Sequence, residues 1–192
     1  MRERHPRLGG LLLALYDDPS STRVWAQGAA GERAVAQKLD ELSADGVLSL
    51  HDRAVPKSRA NIDHIAITAH GVWVIDAKTH KGQLEVRRSG GLLSPRVEKL
   101  YIAGRDKTSL VTGLQNQVDL VKIALVEVDA PIQVRGALCF YGTELPWFGE
   151  TIGDVPLVGR RGLAKLLKKE GPLATEEREA LASYLSGRFP PA

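Results

Sequence analysis

The chain has 192 residues, 43% of them apolar and 26% charged, with a formal net charge of +3 and a single cysteine. That length and balance describe one ordinary globular domain and exclude a disordered chain, a collagen and a multi-span membrane protein. Cys139 alone can form neither an internal disulfide nor a thiolate zinc cluster, so a reducing, cytoplasmic setting is expected.

At the start of the chain, Arg2, Arg4 and Arg7 precede a short apolar run from Leu8 to Tyr16, faintly like a signal peptide. Gly9 and Gly10 interrupt the run and Asp17 and Asp18 follow it. Residues 1–27 are therefore read as an N-terminal extension holding a short helix, and no stretch of the chain is long enough to span a bilayer. Val35, Leu39 and Leu42 recur at helical spacing with Gly46 as a stop, which predicts a helix from Gly28 to Ala44. Val47 to Arg53 reads as a strand, and Val55 to Ala60 as a basic loop. Asn61 to Ala69 alternates, His70-Gly71 makes a tight turn, and Val72 to Lys78 is a strongly β-prone run. Leu84 to Arg88 with Leu92-Leu93 predicts a further hairpin around Gly90-Gly91. Ser109 to Val128 is the clearest helix, with Leu110, Leu114, Val121, Ala124 and Val128 in one stripe. Val134 to Tyr141 is an apolar strand, Val155 to Val158 a short one, and Gly162 to Lys169 a helix. Thr175 to Ser186 is a last helix with Thr175 as its N-cap. The succession predicts an α/β domain with a mixed sheet over residues 28–158, and a C-terminal helical extension, 159–192, packed on the same domain.

A few polar residues break these apolar periods. Glu32 stands three and seven residues before Val35 and Leu39, on the apolar side of its helix. Asp63 shares a strand face with Ile65 and Ile67, and Asp76 and Lys78 share one with Val72 and Val74. Gln117 falls between Leu114 and Val121. Each has a bland reading: a helix-dipole glutamate, a turn aspartate, an i,i+2 ion pair, a half-exposed glutamine. Together they point to one polar site, because a buried charge costs several kcal/mol unless paired or metal-bound. Two or three carboxylates can hold a hard divalent cation, and a neighbouring lysine can act on an attacking water.

Charge supports that reading. Lys57 to Lys107 contains ten basic and five acidic residues, +5 against −2 for the remainder, so the positive excess surrounds Asp63, Asp76 and Lys78. A phosphate-bearing partner suits such a stretch.

The runs GAAGERAVAQKL (Gly28 to Leu39), NIDHIAI (Asn61 to Ile67) and GVWVIDAKTHKGQL (Gly71 to Leu84) resemble the nuclease-related domain (NERD) family of the PD-(D/E)xK nuclease superfamily. The resemblance extends from about Gly28 to Tyr141. It implies a restriction-endonuclease-like mixed sheet with an αβββαβ core flanked by helices. It also implies a Mg²⁺-dependent nuclease, with Mn²⁺ as a substitute, acting on DNA in processing or repair. The family's helix glutamate matches Glu32 and its strand aspartate matches Asp63. The acid and lysine of its (D/E)xK signature match Asp76 and Lys78, many members having glutamate in place of Asp76. Its helix glutamine best matches Gln117, with Gln115 competing and Lys122 a helper one turn on. By this resemblance Asp63 and Asp76 bind the metal, Glu32 ligates it or positions it through water, Lys78 acts on the attacking water and Gln117 orients water or lysine. Lys57, Arg59, His80, Lys81, Arg105, Lys107 and Lys122 are the candidate phosphate contacts. RNA as substrate stays open, as does a non-catalytic nucleic-acid-binding module that keeps the fold. A His64/His80 zinc site lacks a third ligand.

Overall fold

The β-branched runs of the chain pair as the centre of a mixed sheet in a computed structural model, which describes residues 19–91, 94–126, 132–147 and 149–192, with side chains from residue 27 onward. Helix α1 (Pro19–Glu41) and a 3-10 turn (Leu42–Asp45) lead into β1 (Leu48–Ala54), β2 (Asn61–Thr68) and β3 (Gly71–Gly91). Then come β4 (Ser94–Ile102), β5 (Arg105–Asp106), α2 (Ser109–Val126) and β6 (Val134–Glu144). The short strands β7 (Glu150–Ile152) and β8 (Val155–Val158) precede α3 (Arg160–Leu167) and α4 (Thr175–Arg188). This is an α/β fold of the restriction-endonuclease-like kind: an αβββαβ core in which β4 and β5 are inserted before α2.

The sheet runs β1-β2-β3-β6-β8-β7. β1, β2 and β3 are antiparallel neighbours, whereas β3–β6 and β6–β8 are parallel. The first half of β3 lies in this sheet, and its second half, Leu84 to Gly91, leaves to pair with β4. Beyond α4 the chain returns to the outer edge of β1, where the Ala54 N–H donates to the Pro190 carbonyl and the Ala192 N–H to the Asp52 carbonyl, at 2.8 and 3.0 Å. These bonds satisfy backbone groups that an edge strand leaves open.

Strand alternation sends one set of side chains to each face. Ile65, Ile67, Val72, Val74, Leu138 and Phe140 join Leu114, Val118 and Val121 of α2 and Leu181 and Leu185 of α4. Ala66, Trp73, Ile75, Ala137 and Cys139 join Val35 and Leu39 of α1 and Leu163 and Leu167 of α3. Two glycines let the helices sit close. A Cβ on Gly31 would lie 2.0 Å from Thr79 Oγ1, so α1 rests directly on β3; one on Gly136 would lie 2.9 Å from Leu114 and Val118, so α2 rests on β6. Trp73 faces α1, with its Nε1 donating to His70 Nε2 at 3.0 Å.

Several boundaries differ from the sequence reading. α1 begins at Pro19, nine residues ahead of the expected start, and tightens to 3-10 geometry after Glu41. The Leu8–Tyr16 run lies outside the described residues. Gly90 and Gly91 end β3 instead of forming the turn, because Gly91 already pairs with Ser94; residues 92–93 lie outside the described set. The expected hairpin is present, but its return strand β4 runs on to Ile102; most of it is exposed and only Leu100 and Ile102 are buried, so its start carries no apolar period. In α2 the buried stripe is Leu114, Val118, Val121, Ala124 and Leu125; Val128 lies outside the described residues. α4 is capped at Ala174, not Thr175: the Ala174 N–H donates to Glu177 Oε2 at 2.7 Å. Among the described residues no helix is long and apolar enough to cross a membrane.

Candidate functional site

The register explains how the polar residues meet. β2 and β3 pair as far as His64 with Ile75, so the next opposed pair is Asp63 with Asp76. β1 and β2 pair His51 with His64 and Arg53 with Ile62, which puts Asp52 opposite Asp63. Three aspartates thus form a row across three strands. Like charges directly opposite each other destabilise a sheet, and both ladders open here. Asp52 has φ of +46°, off the regular strand, and its Oδ1 accepts from Asn61 Nδ2 at 2.7 Å. Asp63 Oδ2 accepts from the Ala77 N–H at 2.9 Å.

Asp76 is 5% exposed. Burial pushes its carboxyl up to about 7; Asp63 adds to the rise, and Lys78, whose Nζ donates to Asp76 Oδ1, opposes it. Lys78 is 27% exposed at its side chain, so its remaining donors reach solvent. Alternation along β3 turns Asp76 and Lys78 to the α2 face with Val72 and Val74.

Glu32 reaches the row from α1. Gly31, Val35 and Leu39 form the buried centre of that helix, and Glu32 lies half-buried at its flank. Burial, with the charges of Asp63 and Asp52, holds its carboxyl above the ordinary range. Gln117 arrives from α2: its Nε2 donates to the Asn61 carbonyl at 3.4 Å, and its Oε1 is buried without a partner. Gln115, the competing glutamine, donates to Asp119 at 3.2 Å and lines a cleft of about 460 Å³ with Arg96 and Asp154.

The model of the nuclease-related domain family matches residues 27–141 of the chain. The chain belongs to that family. No curated protein and no solved structure matches it.

The cationic residues expected around the site of this nuclease-related domain are spread unevenly. His80 is half-buried, and burial together with the charges of Lys107 and Lys78 holds its ring below the ordinary histidine range. Those three residues therefore share one neighbourhood. Lys81 and Arg105 are exposed, as are Lys57 and Arg59 in the β1–β2 loop. Lys122 pairs with Asp119 at 3.2 Å on the surface of α2 and makes no contact with the aspartate row. His64 and His80 do not converge on a zinc site: His64 pairs with Ile75, five residues along β3 from His80, and packs its Nδ1 2.9 Å from His51 Nδ1, while His51 Nε2 reaches Asp40 at 3.0 Å. Burial pushes the Cys139 thiol up to about 12, so it is not a nucleophile at neutral pH.

Asp52 was missed by sequence reasoning. Its strand shows no apolar period at that point, and only the β1–β2 register brings it to the row. Among the described residues, no three Asp, Glu, His or Cys side chains stand in an arrangement that holds a metal unaided. The donor set nevertheless fits a hard cation. Asp63 and Asp76 offer adjacent carboxylate oxygens short of positive charge, and the orphaned Gln117 Oε1 can accept from water. A cation that keeps most of its waters needs only one or two carboxylates.

Proposed function

We propose that this chain is a metal-dependent nuclease hydrolysing phosphodiester bonds in DNA. The observation that carries the reading is the opposed pair Asp63–Asp76 with Lys78 on β3, Asp76 buried with its carboxyl pushed up, in a chain of the nuclease-related domain family. A carboxylate as costly to bury as Asp76, with Asp63 opposite it, has a reason to exist if a cation compensates the pair.

Asp63 and Asp76 would hold Mg²⁺, or Mn²⁺ in its place, and Glu32 would reach it through water. When bound there, the ion supplies Lewis-acid polarisation of the scissile phosphoryl group. Lys78, anchored by one hydrogen bond to Asp76, uses its other two donors to orient the attacking water and to stabilise charge on a non-bridging oxygen. Gln117 Oε1, buried without a partner, would accept from a water at the α2 side of the row. His80 is held neutral and accepts or donates at its ring nitrogens, while Lys107, Lys81 and Arg105 attract the backbone phosphates.

The test is incubation of plasmid, single-stranded DNA, RNA and a mononucleotide phosphodiester with the full chain in Mg²⁺, in Mn²⁺ and in EDTA. Cleavage of DNA in either metal and none in EDTA is expected. No cleavage of any polynucleotide under either metal overturns the reading. A second reading, a non-catalytic nucleic-acid-binding module, is favoured by one observation: among the described residues no three ligands are pre-assembled. Salt-dependent DNA binding without turnover is its signature.

A further inference from the structure

Trp147 is 94% exposed, and Tyr141, near the end of β6, is 37% exposed. Trp147 sits on a turn closed by the Gly149 N–H, which donates to the Pro146 carbonyl at 3.2 Å. Leu145, just ahead of the turn, packs at Gly159, where a Cβ would lie 3.3 Å from Leu145 Cδ1. That contact places the turn beside Arg160, the first residue of α3. The Arg160 guanidinium in turn stands over Tyr141, 5.4 Å from its ring centre. Arg160 and Arg161 are both exposed, and neither makes an ion pair among the described residues. The acids of the β6–β7 stretch are Glu144, exposed, and Glu150, which Arg88 holds at 2.6 Å.

This aromatic and cationic patch lies on the α1 and α3 face of the sheet, opposite to Asp76 and Lys78, and meets the carboxylate site at Glu32 of α1. Tyr141 is the register partner of Thr79, one residue past Lys78. Its Cβ and that of Thr79 both border Gly31, one residue before Glu32. β2 no longer pairs with β3 beyond Ile75, so a strand that passes Lys78 can round that open edge beside Glu32 to the α1 face, where Tyr141 and Arg160 stand, with Trp147 on the turn that follows Leu145.

We propose that Tyr141, Trp147 and Arg160 hold an unpaired DNA strand beside the carboxylate site, so that the substrate is single-stranded DNA or a duplex with an unpaired flap. Bases in a duplex already stack on each other, whereas unpaired bases offer their faces to aromatic side chains, and an arginine adds a phosphate contact and a cation over the ring. The proposal rests on the nuclease reading for what the strand is doing there, yet its test needs no cleavage.

The experiment is fluorescence anisotropy of a labelled oligothymidylate and a labelled blunt hairpin duplex with the full chain in EDTA. The oligothymidylate is expected to bind tighter than the hairpin. Trp147→Ala should weaken oligothymidylate binding about tenfold while the hairpin changes less than twofold. Arg160→Ala should weaken it too and lower the salt slope by about one. Circular dichroism checks that both surface variants are folded. Unchanged oligothymidylate affinity in Trp147→Ala, or equal losses for oligothymidylate and hairpin, overturns the proposal. Self-association of the wild-type chain that vanishes in Trp147→Ala, seen by sedimentation without any oligothymidylate binding, also overturns it and makes the patch a protein contact. Trp147-dependent binding in a chain that cleaves no DNA upholds the platform and sinks only the nuclease reading.

Discussion

Asp76→Asn isolates the cost of the carboxylate row. Asp76 is 5% exposed, and its carboxyl is pushed from 3.8 up to about 7, chiefly by burial. The folded chain therefore binds a proton at Asp76 more tightly than the unfolded chain does. Between pH 3.8 and about 7 the native state keeps the proton that the unfolded state has lost, so stability falls as pH rises through that window. At about 1.4 kcal/mol per pKa unit the full cost is about 4 kcal/mol, of which about 3 kcal/mol develops between pH 5 and pH 8. Asparagine matches the neutral form in shape and has no such titration. Urea unfolding in EDTA at both pH values should show Asp76→Asn gaining about 3 kcal/mol on the wild type between pH 5 and 8. Saturating Mg²⁺ at a hundred times its Kd should return about 2.7 kcal/mol to the wild type at pH 8 and little to the variant. A gap between the two proteins that is the same at pH 5 and pH 8 would refute the reasoning, because the row would then carry no unrelieved charge.

Three further outcomes follow from the same geometry. Because Asp76 holds a proton up to about pH 7, Mg²⁺ must displace it; calorimetry should find affinity about tenfold lower at pH 6 than at pH 8, with proton release, and a pH-independent affinity would contradict this. Gly31→Ala places a Cβ 2.0 Å from Thr79 Oγ1, so it should cost about 1–3 kcal/mol in urea unfolding, largely restored by adding Thr79→Ala; a neutral Gly31→Ala would show that α1 does not rest on β3. His64 is buried against His51, and burial holds its ring down to about 4, so the fold is stabilised above pH 6.5 and loses about 3 kcal/mol as pH falls from 6.5 to 4. An NMR titration of the His64 ring with a midpoint near 6.5 would contradict that.

Much of the fold is readable from periods alone. The apolar spacing of Val35 and Leu39, the alternation of β2 and the β-branched start of β3 each bury one face against a defined partner, so local pattern and tertiary packing agree. The polar breaches at Asp63, Asp76 and Lys78 are visible for the same reason: each sits at a phase where the strand expects an apolar residue. The hairpin of β3 and β4 is legible but the length of β4 is not, because it pairs with the outlying half of β3 and only Leu100 and Ile102 at its end are buried. Asp52 escapes because its position depends on a cross-strand register, not on its own neighbours. Glu32 is legible in part: its helix phase points inward, yet Gly31 takes the centre of the contact and leaves Glu32 at the flank. Trp147 has no period to break, and only its exposure, on the turn after Leu145, singles it out.

The most direct measurement of the central claim is single-turnover cleavage of DNA in Mg²⁺ by the wild type, Asp63→Asn, Asp76→Asn and Lys78→Ala, each verified as folded. The carboxylate row and its lysine predict wild-type cleavage and a loss of at least about a hundredfold in every variant. Cleavage by all three variants at the wild-type rate would place the chemistry elsewhere and contradict the account.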